Sequence, residues 1–366
     1  MCRSHFAANI GPMSTAADML KPLPGVIEPR WALGSGVLPQ DAYVIDGAAY
    51  AMDESDLAPD SALAERMNKA FDEVGLVWLQ NTGLTDLATM RRFAKLVVEN
   101  DMRYQGGANP RDSLEANVYE VGAPLTAWLH YHHEMAYISH STRMLGFLGH
   151  KAVPGKGATY VSDNLQATAA ILDTDFGQKL RELGICYHRN LTDRETFRGK
   201  PPIGVYNHWQ KSMLTEDPDE AVRVAESRGL EVEWGENRLL KTRYYVSAFE
   251  YFPQLDRNVL YSSVADDAMW FDTWPNVMHL PYDQRPLALT FGDGSEMTRD
   301  EKQLFVDVYD RFGTPVDWNV GDVIIVCNYR FAHGRPGIHL DADEERELGV
   351  VIGDAFERVG DLDGKW

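Results

Sequence analysis

The stretch Leu129-His130-Tyr131-His132-His133-Glu134-Met135-Ala136-Tyr137 gathers metal-ligand side chains at alternating spacing. Read as extended chain, it puts His130, His132 and Glu134 on one face and Tyr131, His133 and Met135 on the other. An imidazole and a carboxylate side by side are part of a 2-His-1-carboxylate facial triad, which holds Fe(II) and leaves coordination positions open. The same His-x-Glu spacing also suits the polar face of a solvated strand, so a third ligand has to be found elsewhere.

Working outward, β-like runs at 142–148 and 158–162, broken by Pro154-Gly155-Lys156-Gly157, extend the pattern over 117–163. Upstream, 61–74 carries Leu63, Met67, Phe71 and Val74 on one helical face and ends at Gly75, the residue favoured after a helix C-terminus. Leu76-Val77-Trp78-Leu79-Gln80 reads as a buried strand, and 86–98 as a second helix. Residues 1–42 lack a sustained period and form an irregular lead-in, within which Met13 is a second candidate start. Downstream, 164–183 reads as helix and 185–190 as strand. The segment 201–238 holds Tyr206, Trp209 and Trp234 around a helix that Asp217-Pro218-Asp219-Glu220 opens and Gly229 closes. Strands follow at 244–252 and 259–264. Thr298-Arg299-Asp300-Glu301 is a capping box ahead of a helix with Leu304, Phe305, Val308, Tyr309 and Phe312 on one face. The last strands are 323–326 and 348–352, and Phe291-Gly292-Asp293-Gly294 is a turn rather than a phosphate loop. The pattern predicts a mixed α/β, mainly β fold, a barrel or jelly roll with flanking helices. It runs over 43–366 as one domain, with a helical, aromatic insertion at about 190–285.

The 366 residues are 44% hydrophobic and 25% charged, enough to bury a sizeable core. A net charge of −20 argues against nucleic acid or an anionic membrane as partner, since both need clustered Lys and Arg. Cys2, Cys186 and Cys327 are odd in number and far apart, which suits reduced thiols in the cytoplasm better than a disulfide framework. No run reaches signal-peptide or membrane-span length. A soluble cytoplasmic protein with a small-molecule substrate, as monomer or homo-oligomer, is expected.

The candidate third ligand is His333, which follows the apolar 323–326 run in an Ala-His-Gly setting. Arg346 lies thirteen residues further on, just before another strand. Two antiparallel neighbours would bring both into one cavity, where a guanidinium can hold the far carboxylate of a 2-oxo acid as a bidentate pair. Three groups of residues carry a family resemblance: His132-His133-Glu134; Gly157-Ala158-Thr159; and Gly321-Asp322 leading to Asn328-Tyr329-Arg330-Phe331-Ala332-His333-Gly334-Arg335 and Arg346. Together they resemble the taurine dioxygenase/TfdA-type family of Fe(II)/2-oxoglutarate-dependent oxygenases, closest in wording to its branch acting on amino-acid-like substrates, including γ-butyrobetaine-type hydroxylases. The resemblance spans about 76–353, tightly at its two ends.

The resemblance implies a double-stranded β-helix (jelly roll), with His132, Glu134 and His333 on iron and Arg346 and Thr159 on the distal carboxylate of 2-oxoglutarate. O2 would be the second co-substrate and succinate and CO2 the by-products. Arg143 falls where relatives often line the cavity with a basic or polar residue. Tyr137, His130, Asn328 and Arg335 are further candidates for touching substrate or supporting the ligands. Cys327 departs from the family pattern, in which Asp often precedes the Asn; Glu134 argues against the halogenating variant that leaves its position to chloride.

Plainer readings stand beside these. His130 and His133 also suit polar or packed positions, Arg346 within Asp343-Glu344-Glu345-Arg346-Glu347 suits a salt-bridged surface, and Thr159 suits an ordinary β-branched strand site. Tyr137, Tyr206, Trp209, Trp270 and Trp274 suit either an aromatic cage for a cationic, ammonium-bearing substrate or simple core packing, and Arg335 suits a brace for its turn. The expected activity is hydroxylation of an unactivated C–H of a small polar, amino-acid-like molecule. The alternatives are a Zn(II) hydrolase or lyase using the same three ligands, which needs no Arg346, and a cupin-like binding module, which places its carboxylate further along than Glu134.

Overall fold

The computed structural model describes residues 31, 38–104, 111, 113–115, 117–123, 125–197, 207–265, 267, 280 and 284–366. Cys2, Met13, most of the expected 1–42 lead-in, and Tyr206, Trp270 and Trp274 of the expected cage lie outside the described residues.

The first half of the chain runs α1 (Gln40–Tyr43), β1 (Val44–Asp46), α2 (Ala62–Val74), β2 (Leu76–Gln80), α3 (Leu87–Ala94), β3 (Ser113–Glu115), β4 (Val118–Glu120), β5 (Leu129–His132), β6 (His140–Lys151), β7 (Thr159–Asp163), α4 (Asn164–Leu172), α5 (Asp175–Leu183) and β8 (Ile185–Leu191). It continues with α6 (Trp209–Met213), α7 (Pro218–Ser227), β9 (Glu231–Trp234), β10 (Leu240–Val246), β11 (Phe249–Phe252), β12 (Arg257–Leu260), β13 (Leu287–Phe291), α8 (Arg299–Arg311), β14 (Gly313–Val316), β15 (Val323–Cys327), β16 (Phe331–Arg335) and β17 (Glu347–Glu357). The fold is mixed α/β and mainly β. Helix ends follow local chemistry: Ser61 caps α2 through its side chain and Gly75 closes it at φ 85°, while Thr298 and Glu301 form the expected capping box on α8. Four expected elements differ, the first being the strand expected over 259–264, which is Arg257–Leu260 and gives way to irregular chain from Tyr261. The helix expected over 86–98 ends at Ala94 and passes into a turn over 95–97, with the β-branched Val97 and Val98 still buried in the same cluster. The 164–183 helix is two, because Thr174 accepts from the Gly177 amide and starts α5 afresh. The 244–252 strand is interrupted between β10 and β11.

A seven-stranded sheet, ordered β1-β2-β15-β6-β17-β4-β3, shares a core with a four-stranded sheet, β14-β7-β16-β5. Strand alternation divides the larger sheet. Leu76, Trp78, Leu145, Phe147, Ile324, Val326, Val350 and Ile352 join Val161, Val316 and Phe331 of the smaller sheet, while Val77, Leu79, Val323, Ile325 and Val351 face outward onto α2 and α3. A third sheet, β13-β8-β10-β9, draws its strands from 185–291 and joins α4, α5 and α8 in a separate cluster with Tyr131 and Tyr160.

The pairing of β16 with β5 positions the candidate ligands. His333 lies opposite His132, yet Arg335 lies opposite Leu129, so two steps on β16 match three on β5. That extra residue is a bulge, and it corrects the expected alternation: Leu129 rather than His130 shares the face of His132. His130 is turned toward Lys302 of α8, buried, with neither ring nitrogen hydrogen-bonded. Gly334 faces the bulge; a Cβ there would sit 2.6 Å from the Leu129 carbonyl oxygen and 3.1 Å from the backbone of His130 and Tyr131.

Two outcomes follow from this geometry. Gly334→Ala is expected to lower stability by about 1–3 kcal/mol, as overpacking does, and to weaken divalent-metal binding because His132 and His333 move together; urea unfolding and metal titration check both. Burial, with His132 and Lys302 adding to it, pushes the pKa of His130 down to about 3. The unfolded chain takes up that proton near pH 6.5, so stability falls as pH drops from there toward 3, by up to about 1.4 kcal/mol per pH unit. His130→Leu should remove this part of the slope and unfold at higher urea than wild type at about pH 5; an unchanged slope contradicts the assignment.

Candidate active site

His132, Glu134 and His333 each offer a ligand atom within 4.8 Å of the others. The imidazole centroids are 4.2 Å apart, and His333 Nε2 lies 3.9 Å from Glu134 Oε2. His132 Nδ1 is 2.8 Å from the carbonyl oxygen of His130. Only an N–H meets a carbonyl oxygen favourably, so Nδ1 carries the proton and Nε2 keeps its lone pair for a metal. His333 is held neutral by burial first, then by His132, His133 and Arg111.

Glu134 is not on the strand. β5 ends at His132, and the chain turns sharply, with Met135 at φ 58°. The Asn328 side chain fixes that turn: its Oδ1 accepts from the Glu134 amide at 2.9 Å, and its Nδ2 donates to the Glu134 and Thr142 carbonyls at 3.0 and 2.8 Å. The Tyr261 hydroxyl donates to the same Glu134 carbonyl. Cys327, just before Asn328, packs in an apolar cluster with Phe252, Tyr329 and Phe356, so the departure from Asp leaves the Asn328 network complete.

Above these three residues is a cavity of about 40 Å³, also lined by Thr159, Arg335, Arg346 and Arg111, with Leu129, Phe147, Leu348 and Val350 on its apolar side. Arg346 is 8% exposed, so it is not a salt-bridged surface residue. Its acidic neighbours are paired elsewhere: Glu344 with Lys156 at 2.5 Å and Glu345 with Lys151 at 2.9 Å. Arg346 Nη2 donates to the Gly157 carbonyl at 2.9 Å, and its Nε is buried without a partner. Burial lowers its pKa to about 10. A Cβ on Gly157 would lie 2.8 Å from that Nε, and Gly157 sits at φ 81°, so glycine is needed on both counts. Thr159 Oγ1 accepts a hydrogen bond from the Trp318 indole at 3.0 Å, which leaves the hydroxyl hydrogen free to point into the cavity. Arg335 donates to the carbonyls of Leu125, Ala127 and Pro336, bracing the loop over the site as its turn position suggested.

Arg111 and Trp318 were not legible as site residues. Arg111 Nη2 lies 2.9 Å from both Glu134 oxygens. Burial alone would lower its pKa, but Glu134, with Tyr104 and Tyr137, raises it above the ordinary arginine value. It stands in a loop without periodicity, and no spacing ties it to the His-x-Glu pair. For Trp318 the only cue was its place ahead of Gly321-Asp322.

Three expected residues, His130, Arg143 and Tyr137, are elsewhere, and His133 faces away from the cavity as the alternation expects. His130 is carried off the cavity face by the bulge. His133 turns away, its Nδ1 meeting the Ser262 backbone and its ring 4.9 Å from that of Tyr261. Arg143 lines a different cavity, of about 300 Å³, with Asp72, Cys327 and Tyr329. Tyr137 lines a third pocket, and its hydroxyl meets that of Tyr104 at 2.9 Å.

The model of the taurine catabolism dioxygenase TauD, TfdA family matches residues 45–351. A clavaminate synthase-like protein of Arabidopsis thaliana is 27% identical over 240 residues, covering 64% of this chain and 69% of that protein. The dapdiamide synthesis protein DdaC of Enterobacter agglomerans is 22% identical over 288 residues, covering 74% and 80%. Among solved structures, a taurine dioxygenase from Burkholderia xenovorans is 15% identical with a TM-score of 0.46, covering 82% of this chain and 83% of that one. An asparagine oxygenase, solved with Fe(II), 2S,3S-3-hydroxyasparagine and succinate, is 14% identical with a TM-score of 0.45, covering 85% and 93%. With the family model matched from the first strand to the last, the chain belongs to the TauD/TfdA family of dioxygenases.

Proposed function

We propose that the protein is a 2-oxoglutarate-dependent non-haem iron dioxygenase that hydroxylates an unactivated C–H of a small polar, amino-acid-like substrate. In this reading the two sheets that share a core are the family's double-stranded β-helix, part of a single domain over 43–366, and residues at about 190–285 are an insertion on it. Cys186 and Cys327, both buried thiols, support a reducing, cytoplasmic setting.

The residues fit the metal. Two imidazoles and one carboxylate are the donor set that suits Fe(II) with positions left open, and with Nδ1 of His132 engaged by the His130 carbonyl its Nε2 is the atom turned to the metal. They also fit the co-substrate. The buried Arg346, which has no carboxylate partner among the described residues and an orphaned Nε, carries the proposal: a guanidinium in that state calls for an anion.

When bound, Fe(II) supplies the O2 chemistry that side chains lack, and 2-oxoglutarate supplies two electrons as it becomes succinate and CO2. The chain's own residues bind, orient and exclude water. His132 is oriented by the His130 carbonyl, the backbone of Glu134 is fixed by Asn328, and its carboxylate is held by Arg111. Arg346 holds the distal carboxylate of 2-oxoglutarate, and Thr159, with its acceptor side taken by Trp318, donates a second hydrogen bond to it. Leu129, Phe147, Leu348 and Val350 keep the inner wall dry. A Zn(II) hydrolase or lyase would use the same ligands but gives Arg346 nothing to do.

Titration of the Mn(II)-loaded protein with 2-oxoglutarate, and succinate formation by the Fe(II) form, test the reading; a wild-type protein that binds no 2-oxoglutarate contradicts it. Arg346→Gln is expected to weaken 2-oxoglutarate binding about 10- to 100-fold, the loss typical of a charged hydrogen-bonded pair, while metal binding stays unchanged. Trp318→Phe, which frees Thr159 to rotate, is expected to weaken 2-oxoglutarate binding by about threefold to tenfold, a neutral hydrogen bond's worth.

A further inference from the structure

Glu134 has two carboxylate oxygens, and its surroundings treat them differently. Oε2 lies 3.9 Å from His333 Nε2. Among the described residues, Oε1 has a single partner, the Arg111 guanidinium. Arg111 stands just ahead of β3 and lines the cavity together with Thr159 and Arg346. Its guanidinium lies 4.7 Å over the Tyr104 ring, whose hydroxyl meets that of Tyr137 at 2.9 Å.

A single Arg111 atom makes the contact: Nη2 is 2.9 Å from Oε1 and 2.9 Å from Oε2. Equal hydrogen-bond distances from one nitrogen to both oxygens place it on the chelating side of the carboxylate, where a cation using both oxygens would sit. The pair is buried, with side chains 13% and 3% exposed, so parting it costs more than parting a surface pair. Asn328 and Tyr261 fix the backbone of Glu134, and their hydrogen bonds reach neither carboxylate oxygen. Among the described residues, Arg111 alone sets how the carboxylate presents its oxygens.

A carboxylate can give a metal one oxygen or two. In a 2-His-1-carboxylate site the difference is a coordination position, because a second oxygen from Glu134 would fill one that is otherwise left open. We propose that Arg111 is the positioning residue that keeps Glu134 a one-oxygen ligand: it retains Oε1 and covers the chelating side, leaving Oε2 for a metal held by His132 and His333. This role rests on the dioxygenase reading and names the residue that keeps the open position open. The contact uses one nitrogen rather than the guanidinium fork, so a point charge can replace it. Lysine is therefore expected to serve where methionine, of similar length but uncharged, does not.

The test compares wild type, Arg111→Met and Arg111→Lys as full chains loaded with Mn(II) in the absence of oxygen. Waters on Mn(II) are counted from the broadening of its electron paramagnetic resonance lines by isotopically labelled water. Arg111→Met is expected to hold one water fewer than wild type, since the freed oxygen joins the metal. It should bind Mn(II) about tenfold more tightly in chelator competition and 2-oxoglutarate about tenfold more weakly on titration, the scale of one charged hydrogen-bonded pair. Arg111→Lys should restore the water count and bring both affinities to within about threefold of wild type. A merely structural Arg111 would instead loosen metal and 2-oxoglutarate together in Arg111→Met and leave the water count alone.

The crystal structure of the Mn(II)-loaded wild type decides independently of any variant, including the case in which Arg111→Met does not fold. Glu134 on the metal through one oxygen, with Arg111 on the other, is the expected result. Both oxygens on the metal, or Arg111 parted from Glu134, overturns the proposal. Equal water counts in wild type and Arg111→Met overturn it too, as does Arg111→Lys behaving like Arg111→Met. The 2-oxoglutarate titration of wild type reports separately: if Mn(II) binds and 2-oxoglutarate does not, the dioxygenase reading fails while the water count still judges Arg111, and if Mn(II) does not bind, both fail.

Discussion

The antiparallel pairing of β16 with β5 constrains everything at the candidate centre. His333 and His132 come from residues 201 positions apart in sequence, and direct register across two strands sets their rings 4.2 Å from each other. The extra residue on β5 then does two things. It brings Leu129 onto the cavity face in place of His130, and it leaves the His130 carbonyl where His132 Nδ1 can donate to it. Gly334 tolerates the bulge because it has no Cβ. The carboxylate arrives by different means: the strand has ended, and Asn328 ties the turn to the neighbouring strand end through three hydrogen bonds to backbone.

Charge placement is the second constraint. The region around Arg346 is rich in acids, yet lysines neutralise them at the surface and leave Arg346 to turn inward alone. Arg335 has burial and the nearby Arg346 lowering its pKa to about 9, and it donates to the backbone carbonyls of Leu125 and Ala127. Arg346 opposes folding, because no ion pair among the described residues offsets its desolvation. Such an arrangement is typical of a site whose counter-charges come from bound molecules, and it explains why the whole protein can be strongly acidic while its cavity is basic.

Much of this was legible in the sequence, for reasons that differ by element. Short apolar runs gave β2 and β15, which are buried on both faces, and the 3.6 period with its caps gave α2 and α8, almost to the residue. The candidate ligands were legible because their chemistry is rare and their spacing short. The bulge was not, since a one-residue shift in pairing depends on the partner strand and leaves no mark on β5 itself; alternation therefore placed His130 wrongly. Arg111 was invisible for a similar reason: a loop residue finds its partner through tertiary contact alone. Arg346 was ambiguous, and only the pairing of Glu344 and Glu345 with lysines distinguishes it from its charged neighbours.

Position within the fold also bears on where substrate choice resides. The cavity over the candidate ligands is small, and in the proposed reading its polar residues serve metal, co-substrate and loop support. Little is left there to distinguish one substrate from another. Tyr137 is different, because it follows the Glu134 turn closely in sequence yet lines a pocket whose other walls come from β8, β10, α6 and α7. Those elements pack in clusters separate from the one between the ligand-bearing sheets, so their side chains can change without moving His132, Glu134 or His333. A rigid pair of sheets with a replaceable wall lets one oxidative chemistry be directed at many molecules.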